Sequence, residues 1–130
     1  MEKKKEFTFK GMTVEELQKL DVREFSKFLR SRARRTIQRQ FQEIEKFVSR
    51  AKIKASKKRP IKTHDRYLVV VPEMVGMKIH VHKGNSFTPV EIVGEMLGHK
   101  LGEFALTRSR VAHTKAGVGA TKGSKAKTKK

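Results

Sequence analysis

The residues best suited to chemistry lie in two short stretches. In "MKIHVHKGNS", residues 77 to 86, His80 and His82 fall two apart, which puts both imidazoles on one face of a strand. In "EMLGHKLGEFALTRSR", residues 95 to 110, His99 and Lys100 sit between Gly98 and Gly102, with Gly94 upstream and Arg108 and Arg110 closing the run. Paired histidines can bind zinc, but a zinc site needs a third and a fourth ligand. The remaining histidines, at 64, 99 and 113, are scattered, and the chain has no cysteine and no His-Glu helix motif. Nucleophilic catalysis by His99 would need a serine and an orienting carboxylate, and no nucleophile elbow accompanies it. Glycines at 94, 98 and 102 do not follow the spacing of a P-loop or a dinucleotide fingerprint. They can permit tight turns or the close approach of another backbone, whether the protein's own or a sugar-phosphate chain.

The composition narrows these options. The 130 residues are enough for one domain. Lys and Arg number 32 against 13 Asp and Glu, a formal charge of +19. A charge of that size opposes compaction unless a polyanion neutralises it. The excess falls in blocks: five arginines from Arg30 to Arg39, eight bases against Asp65 from Arg50 to Arg66, and eight bases with no acid from Thr107 to Lys130. One such run can be a solvated linker. Three in so short a chain point to nucleic acid. The absence of cysteine excludes a disulfide scaffold and fits a reducing compartment. No apolar run approaches membrane-spanning length, and "MEKKKEFTFKG" has no core for a signal peptide. No membrane partner, cofactor or metal is expected.

The sequence predicts an α+β fold. Thr13 and Glu16 form a capping box that opens a short helix ending near Leu20. Asp21 and Glu24 repeat the pattern, with Val22, Phe25, Phe28 and Leu29 on one face. Ser31 can cap a longer third helix whose Ile37, Phe41, Ile44 and Val48 form a stripe at 3.6-residue period. "KIKASKKRPIK" then reads as a basic linker stopped by Pro60. Three strands follow: "YLVVVP"; 78–82, with Ile79 and Val81 inward; and "FTPVEI", where Pro89 marks an edge. A short glycine-broken helix comes next. The small, acid-free tail, 108–130, is expected to be disordered alone, because it cannot bury enough apolar surface to offset chain entropy. The expected organisation is one domain over 1–107, with a helical extension over 1–50 and a core over 61–107, plus the tail.

That core carries a specific resemblance. "KTH" with Arg66, "VVPEMVG", "HVHKG", "PVEI" and above all the ungapped "EMLGHKLGEFALTR" resemble the conserved core of the small-subunit ribosomal protein nineteen family. The N-terminal "FKGMTVEEL" and the tail's "HTKAGVGAT" resemble its archaeal and eukaryotic branch. The resemblance implies a non-catalytic cytoplasmic ribosomal component, bound to the 3′ (head) domain of small-subunit rRNA. It also implies small-subunit ribosomal protein thirteen as neighbour and a tail directed toward the tRNA sites. The expected RNA contacts are Arg34 and Arg35 on the third helix, then Lys57, Lys58, Arg59, Lys62, Thr63, His64 and Arg66. They continue with His80, His82 and Lys83 on the hairpin, and with His99, Lys100, Thr107, Arg108, Arg110, His113 and Lys115 toward the C-terminus. Lys and Arg would neutralise phosphates, and structured RNA would be recognised by its shape and 2′-hydroxyls. Only Tyr67 and Phe87 stand out as stacking residues, which argues against a base-stacking platform. A catalytically inert architectural DNA-binding protein would be equally basic; the two differ in preference for structured RNA or duplex DNA.

Overall fold

The computed structural model describes residues 7–110. A two-stranded antiparallel ribbon, β1 (Thr8–Phe9) and β2 (Met12–Thr13), leads into helix α1 (Val14–Gln18). Thr13 caps α1 through the full reciprocal box: its hydroxyl accepts the Glu16 N–H, and the Glu16 carboxylate accepts the Thr13 N–H. Helix α2 (Val22–Ser26) starts at Asp21, whose carboxylate accepts only the Val22 N–H. Its buried Val22 and Phe25, with Leu29 just beyond, pack against α3 (Ser31–Ser56).

Helix α3 departs from expectation at both ends. Its N-cap is Arg30, in extended conformation without a side-chain cap, so Ser31 is already inside the helix. At the other end the helix runs on through Lys52–Ser56, which sequence reasoning assigns to a linker. That stretch is Lys, Ile, Lys, Ala and Ser, with no breaker before Pro60, and its last residues are exposed. Propensity rather than packing extends it. Lys58 takes a left-handed backbone conformation (φ +53°), and two bonds close the end: Lys58 N–H to Ala55 O (3.0 Å) and Arg59 N–H to Lys54 O (2.9 Å). This is the Schellman arrangement, with lysine where glycine is usual. The predicted stripe is buried at Ile37, Ile44 and Val48, joined by Phe47 and Ala51. Phe41 is half-buried, with the Arg23 guanidinium 3.8 Å above its ring. The helix breaks its regular geometry at Gln40 (φ −118°, ψ 18°).

The sheet has three strands, as expected, but not the expected three. Strand β3 (Ile61–Thr63) pairs in parallel with β4 (Lys78–His82), which pairs antiparallel with β5 (Phe87–Glu91). Pro89 therefore lies on an edge strand. "YLVVVP" is not a strand of this sheet. Leu68, Val69, Val70 and Val71 are buried in the middle of the core, and the segment's hydrogen bonds go elsewhere. It bonds to the glycine segment: Val70 N–H to His99 O (2.8 Å), Gly98 N–H to Val70 O (3.1 Å), Leu101 N–H to Leu68 O (3.0 Å) and Gly102 N–H to Arg66 O (2.9 Å). An apolar run buried on all sides carries no periodicity to say which partner it pairs with. Ile61–Thr63 is too short and too basic in its surroundings to announce itself.

The glycine segment is two short 3-10 turns, Gly94–Met96 and Leu101–Phe104, rather than a helix. Gly98 joins them at φ +81°, and a Cβ there would stand 2.7 Å from the Leu29 side chain. At Gly102 a Cβ would meet the Arg66 carbonyl at 3.0 Å. Both glycines are thus accounted for by close approach within the protein. The tail expected over 108–130 is described only to Arg110, and the stretch to Arg110 is exposed and outside regular structure. The rest of it lies outside the described residues. Among the described residues no helix is long and apolar enough to cross a membrane.

Candidate nucleic-acid interface

Along α3, Arg32, Arg35 and Arg39 fall at positions i, i+3 and i+7, one face of the helix. Together with Ser31, Thr36, Gln40 and Lys100 they line a groove. Four cations meet there, and no carboxylate is among the lining residues. Lys100 reaches this groove because the backbone pairing of 66–70 with 98–102 holds it there. Its N–H is bonded to Glu103 Oε1 (3.3 Å) and its residue forms a bridge with Val69. The adjoining His99 is exposed and its Nδ1 lies 2.7 Å from Glu103 Oε2. Burial pushes the Glu103 carboxyl up, but the His99 bond, the Lys100 N–H and the two nearby charges outweigh it, leaving its pKa below the usual glutamate value. The carboxylate is thereby committed to its own turn. The Gln40 side-chain oxygen, at the irregular point of α3, is buried and has no partner in the protein.

The second basic surface runs along the other half of α3 and the open face of the sheet. Register places Lys62, His80 and Pro89 side by side on that face, and His82 opposite Phe87, while Ile79, Val81 and Val90 turn to the core. His64, His82 and Phe87 form a ring cluster. The centroids are 4.4 Å apart for His64–His82, 5.2 Å for His64–Phe87 and 5.0 Å for His82–Phe87. Lys62 Nζ lies 5.3 Å above the Phe87 ring. Lys62 and His64 also border a groove with Arg50 and Lys54 of α3.

Three of the expected contact residues have side chains bonded within the protein, although Arg34 is exposed. Arg34 donates from Nε to Ser26 O (3.3 Å) and from Nη2 to Lys27 O (2.8 Å) and Leu29 O (3.2 Å), closing the end of α2 and the turn after it. Arg66 donates from Nη1 to His82 O (2.6 Å) and from Nη2 to Gly102 O (2.8 Å) and Ala105 O (2.6 Å), tying the hairpin to the second 3-10 turn. Thr63 is buried, and its hydroxyl accepts the Asp65 N–H (3.0 Å). Tyr67, one of the two stacking candidates, donates its hydroxyl to Glu43 (3.0 Å), which raises its pKa.

Arg35 and Lys100 are exposed and share the first groove. Lys62, His64 and His82 come together at the second surface, with His80 beside Lys62 on the same face. Lys83 is half-buried at the hairpin turn, where its N–H bonds to Ser86 O (2.9 Å). Lys57, Lys58 and Arg59 are exposed at the end of α3, and Thr107, Arg108 and Arg110 are exposed at the end of the described chain. His113 and Lys115 lie outside the described residues. His64 lies beside His82, but among the described residues no three His, Cys, Asp or Glu side chains come close enough to hold a metal. Sequence reasoning passes over Arg32, Arg39, Arg50 and Lys54. Their helical spacing, three, four or seven apart, was the available signal.

Comparison with known proteins agrees with these features. The family pattern described as Ribosomal protein S19 matches residues 30–113, which include α3, the sheet and the glycine segment. A curated protein of Methanocella arvoryzae named "Small ribosomal subunit protein uS19" is 46% identical over 124 residues, covering 95% of this chain and 86% of its own. A match over well over half of the chain, with a relative this similar along nearly all of it, shows that the chain belongs to the Ribosomal protein S19 family.

Proposed function

We propose that the chain is a structural constituent of the small ribosomal subunit that binds the 3′ (head) domain of small-subunit rRNA and supports translation. The family is one of non-enzymatic ribosomal proteins, and the relative's name places that protein in the small subunit. The observation that carries the reading is the groove of Arg32, Arg35, Arg39 and Lys100, four cations with no carboxylate in the lining. Side chains in that arrangement repel one another and are relieved by an anion. A polyphosphate backbone answers several of them at once and releases its own counterions on doing so.

Other exposed cations are available to the same partner: Lys57, Lys58 and Arg59 at the end of α3, Lys62 on the sheet, and Arg108 and Arg110 after the second 3-10 turn. Residues 1–107 act as one rRNA-binding domain. The basic run after it is directed toward the tRNA sites, and small-subunit ribosomal protein thirteen is the neighbouring protein. Arg34 and Arg66 serve this surface indirectly, by fixing the turns that present it.

The test is whether the protein in cell extract stays with the small subunit after a high-salt wash. In parallel, purified protein is titrated with an rRNA head-domain transcript and with duplex DNA at matched salt. Retention and preference for the transcript are expected. Equal or tighter binding to duplex DNA would favour the architectural DNA-binding reading instead.

A further inference from the structure

We infer that the His64–His82–Phe87 cluster, with Arg50, Lys54 and Lys62 beside it, is a site for one unpaired RNA nucleotide, its base on the rings and its phosphates on the cations. The inference rests on the rRNA-binding reading and goes beyond it, because it joins His64 and His82 to Phe87, which the sequence offers only as an isolated stacking residue, in one base-binding site.

Four observations carry it. The rings are not core: His64 is exposed, His82 and Phe87 are half-buried, and all three lie on the solvent side of the sheet, opposite Ile79 and Val81. The rings are already arranged for stacking. His64 and His82 lie 4.4 Å apart with planes tilted by 37°, and Phe87 meets both edge-on, at 79° and 67°. A base laid on the outer side of His64 would continue the pair that His82 begins, with Phe87 as a side wall. The central ring, His82, is also held in place. The His82 carbonyl accepts from Arg66 (2.6 Å) and its Nδ1 accepts the Gly84 N–H (3.2 Å), so little side-chain freedom remains to be lost there on binding.

The fourth observation concerns charge. Lys62 lies over Phe87, and Lys62 and His64 line the groove that also holds Arg50 and Lys54. The one acid in that lining, Asp65, is engaged with the Thr63 hydroxyl (3.4 Å). Flat rings beside several cations suit a nucleotide, which carries a π-face and negative phosphates a few ångströms apart. Duplex RNA does not fit, since its bases are stacked within the helix and cannot reach the rings. An unpaired base in a loop or bulge can.

The experiment uses the full chain and the rRNA head-domain transcript, with affinity measured across a salt series for the protein itself, His64→Ala, Phe87→Leu and Lys62→Met. Phe87→Leu keeps apolar bulk on β5, and His64→Ala removes an exposed ring, so the pair separates lost stacking from lost folding; melting curves are recorded for both. Each ring variant should bind roughly tenfold more weakly at every salt concentration with an unchanged log–log slope, as a stacking contact does. Lys62→Met should lower the slope by about 0.7–0.9, as one lost phosphate contact does. If the transcript is bound and both ring variants match the unsubstituted chain, the rings take no base and this inference is overturned. If the unsubstituted chain does not bind the transcript, the rRNA-binding reading itself fails.

Discussion

The corner between α2 and α3 and the groove beside it are built from neighbouring arginines that have opposite uses. Arg34 turns its guanidinium back onto the carbonyls of Ser26, Lys27 and Leu29. Arg35, one residue on, joins Arg32, Arg39 and Lys100 around a groove with no carboxylate in its lining. The same contrast recurs across the sheet, where Arg66 bonds three carbonyls while Lys62, four residues earlier, stands on the open face. What separates the two uses is the supply of orphan carbonyls within reach. An arginine beside the end of a short helix or a tight turn finds acceptors there and becomes part of the fold. One step around the helix it meets three further cations and no carboxylate, which leaves its charge for the proposed phosphate partner.

This contrast can be broken most severely at Arg66. Arg66→Ala should strand three carbonyls in a partly buried corner and lower stability by about 2–4 kcal/mol. At about 4–8 °C per kcal/mol for a domain of this order, the melting temperature should fall by well over 5 °C. Arg66→Lys should recover little of it, since one ammonium cannot span three carbonyls as a planar fork does. A melting curve matching the unsubstituted chain would show that the three bonds do not hold the turn. Arg34→Ala should lower stability by about 1 kcal/mol, the smaller figure reflecting its exposure. Arg35→Ala should stay within about 0.5 kcal/mol. Substituting the pair together, which the sequence alone suggests as a pure test of RNA binding, would therefore mix a folding defect with a binding defect.

Much of the fold was legible because it rests on local rules. The Thr13–Glu16 box, the Ile37–Ile44–Val48 stripe, the alternation of β4 and the edge position of Pro89 each follow from residue type and spacing. The misread elements depend on partners distant in sequence. Leu68–Val71 is apolar at every position, so nothing in it says that its backbone bonds go to 98–102 rather than to β4. The site divides in the same way. Lys, Arg and His mark a binding surface by composition, but whether a given cation faces inward depends on where turns end in space. By type, nothing marked Arg34, Thr63 and Arg66 as residues whose side chains bond within the protein. The ring cluster was missed for the converse reason: His64, His82 and Phe87 converge through a parallel pairing of β3 with β4 that the sequence did not announce.

Smaller effects sharpen the picture at the second turn. Glu103 has a depressed pKa, so its ionised form stabilises the folded state above the unfolded-state carboxyl pKa, and that contribution is lost as pH falls through the folded value. Denaturant titrations on the acid side of neutrality should show a slight loss of stability, reduced in Glu103→Gln. Because the pair is about half exposed, the effect should be modest and weaker in high salt. An acid limb identical in the two proteins would remove the His99–Glu103 contact from the account. At His80 and His82 no change is expected at all: a chelator should leave melting unaltered, and stoichiometric zinc in untagged protein would contradict the reading of that face as metal-free.

The central claim is that the groove on α3 is where rRNA phosphates sit, and the most direct test is the salt dependence of binding by Arg32→Ala/Arg35→Ala/Arg39→Ala. With three phosphate contacts removed at ~0.7–0.9 each, the log–log slope for the rRNA head-domain transcript should fall by about 2 units. Melting should change little, since none of the three side chains is buried. A slope and affinity equal to those of the unsubstituted chain, with the fold intact, would contradict the account and move the interface elsewhere on the molecule.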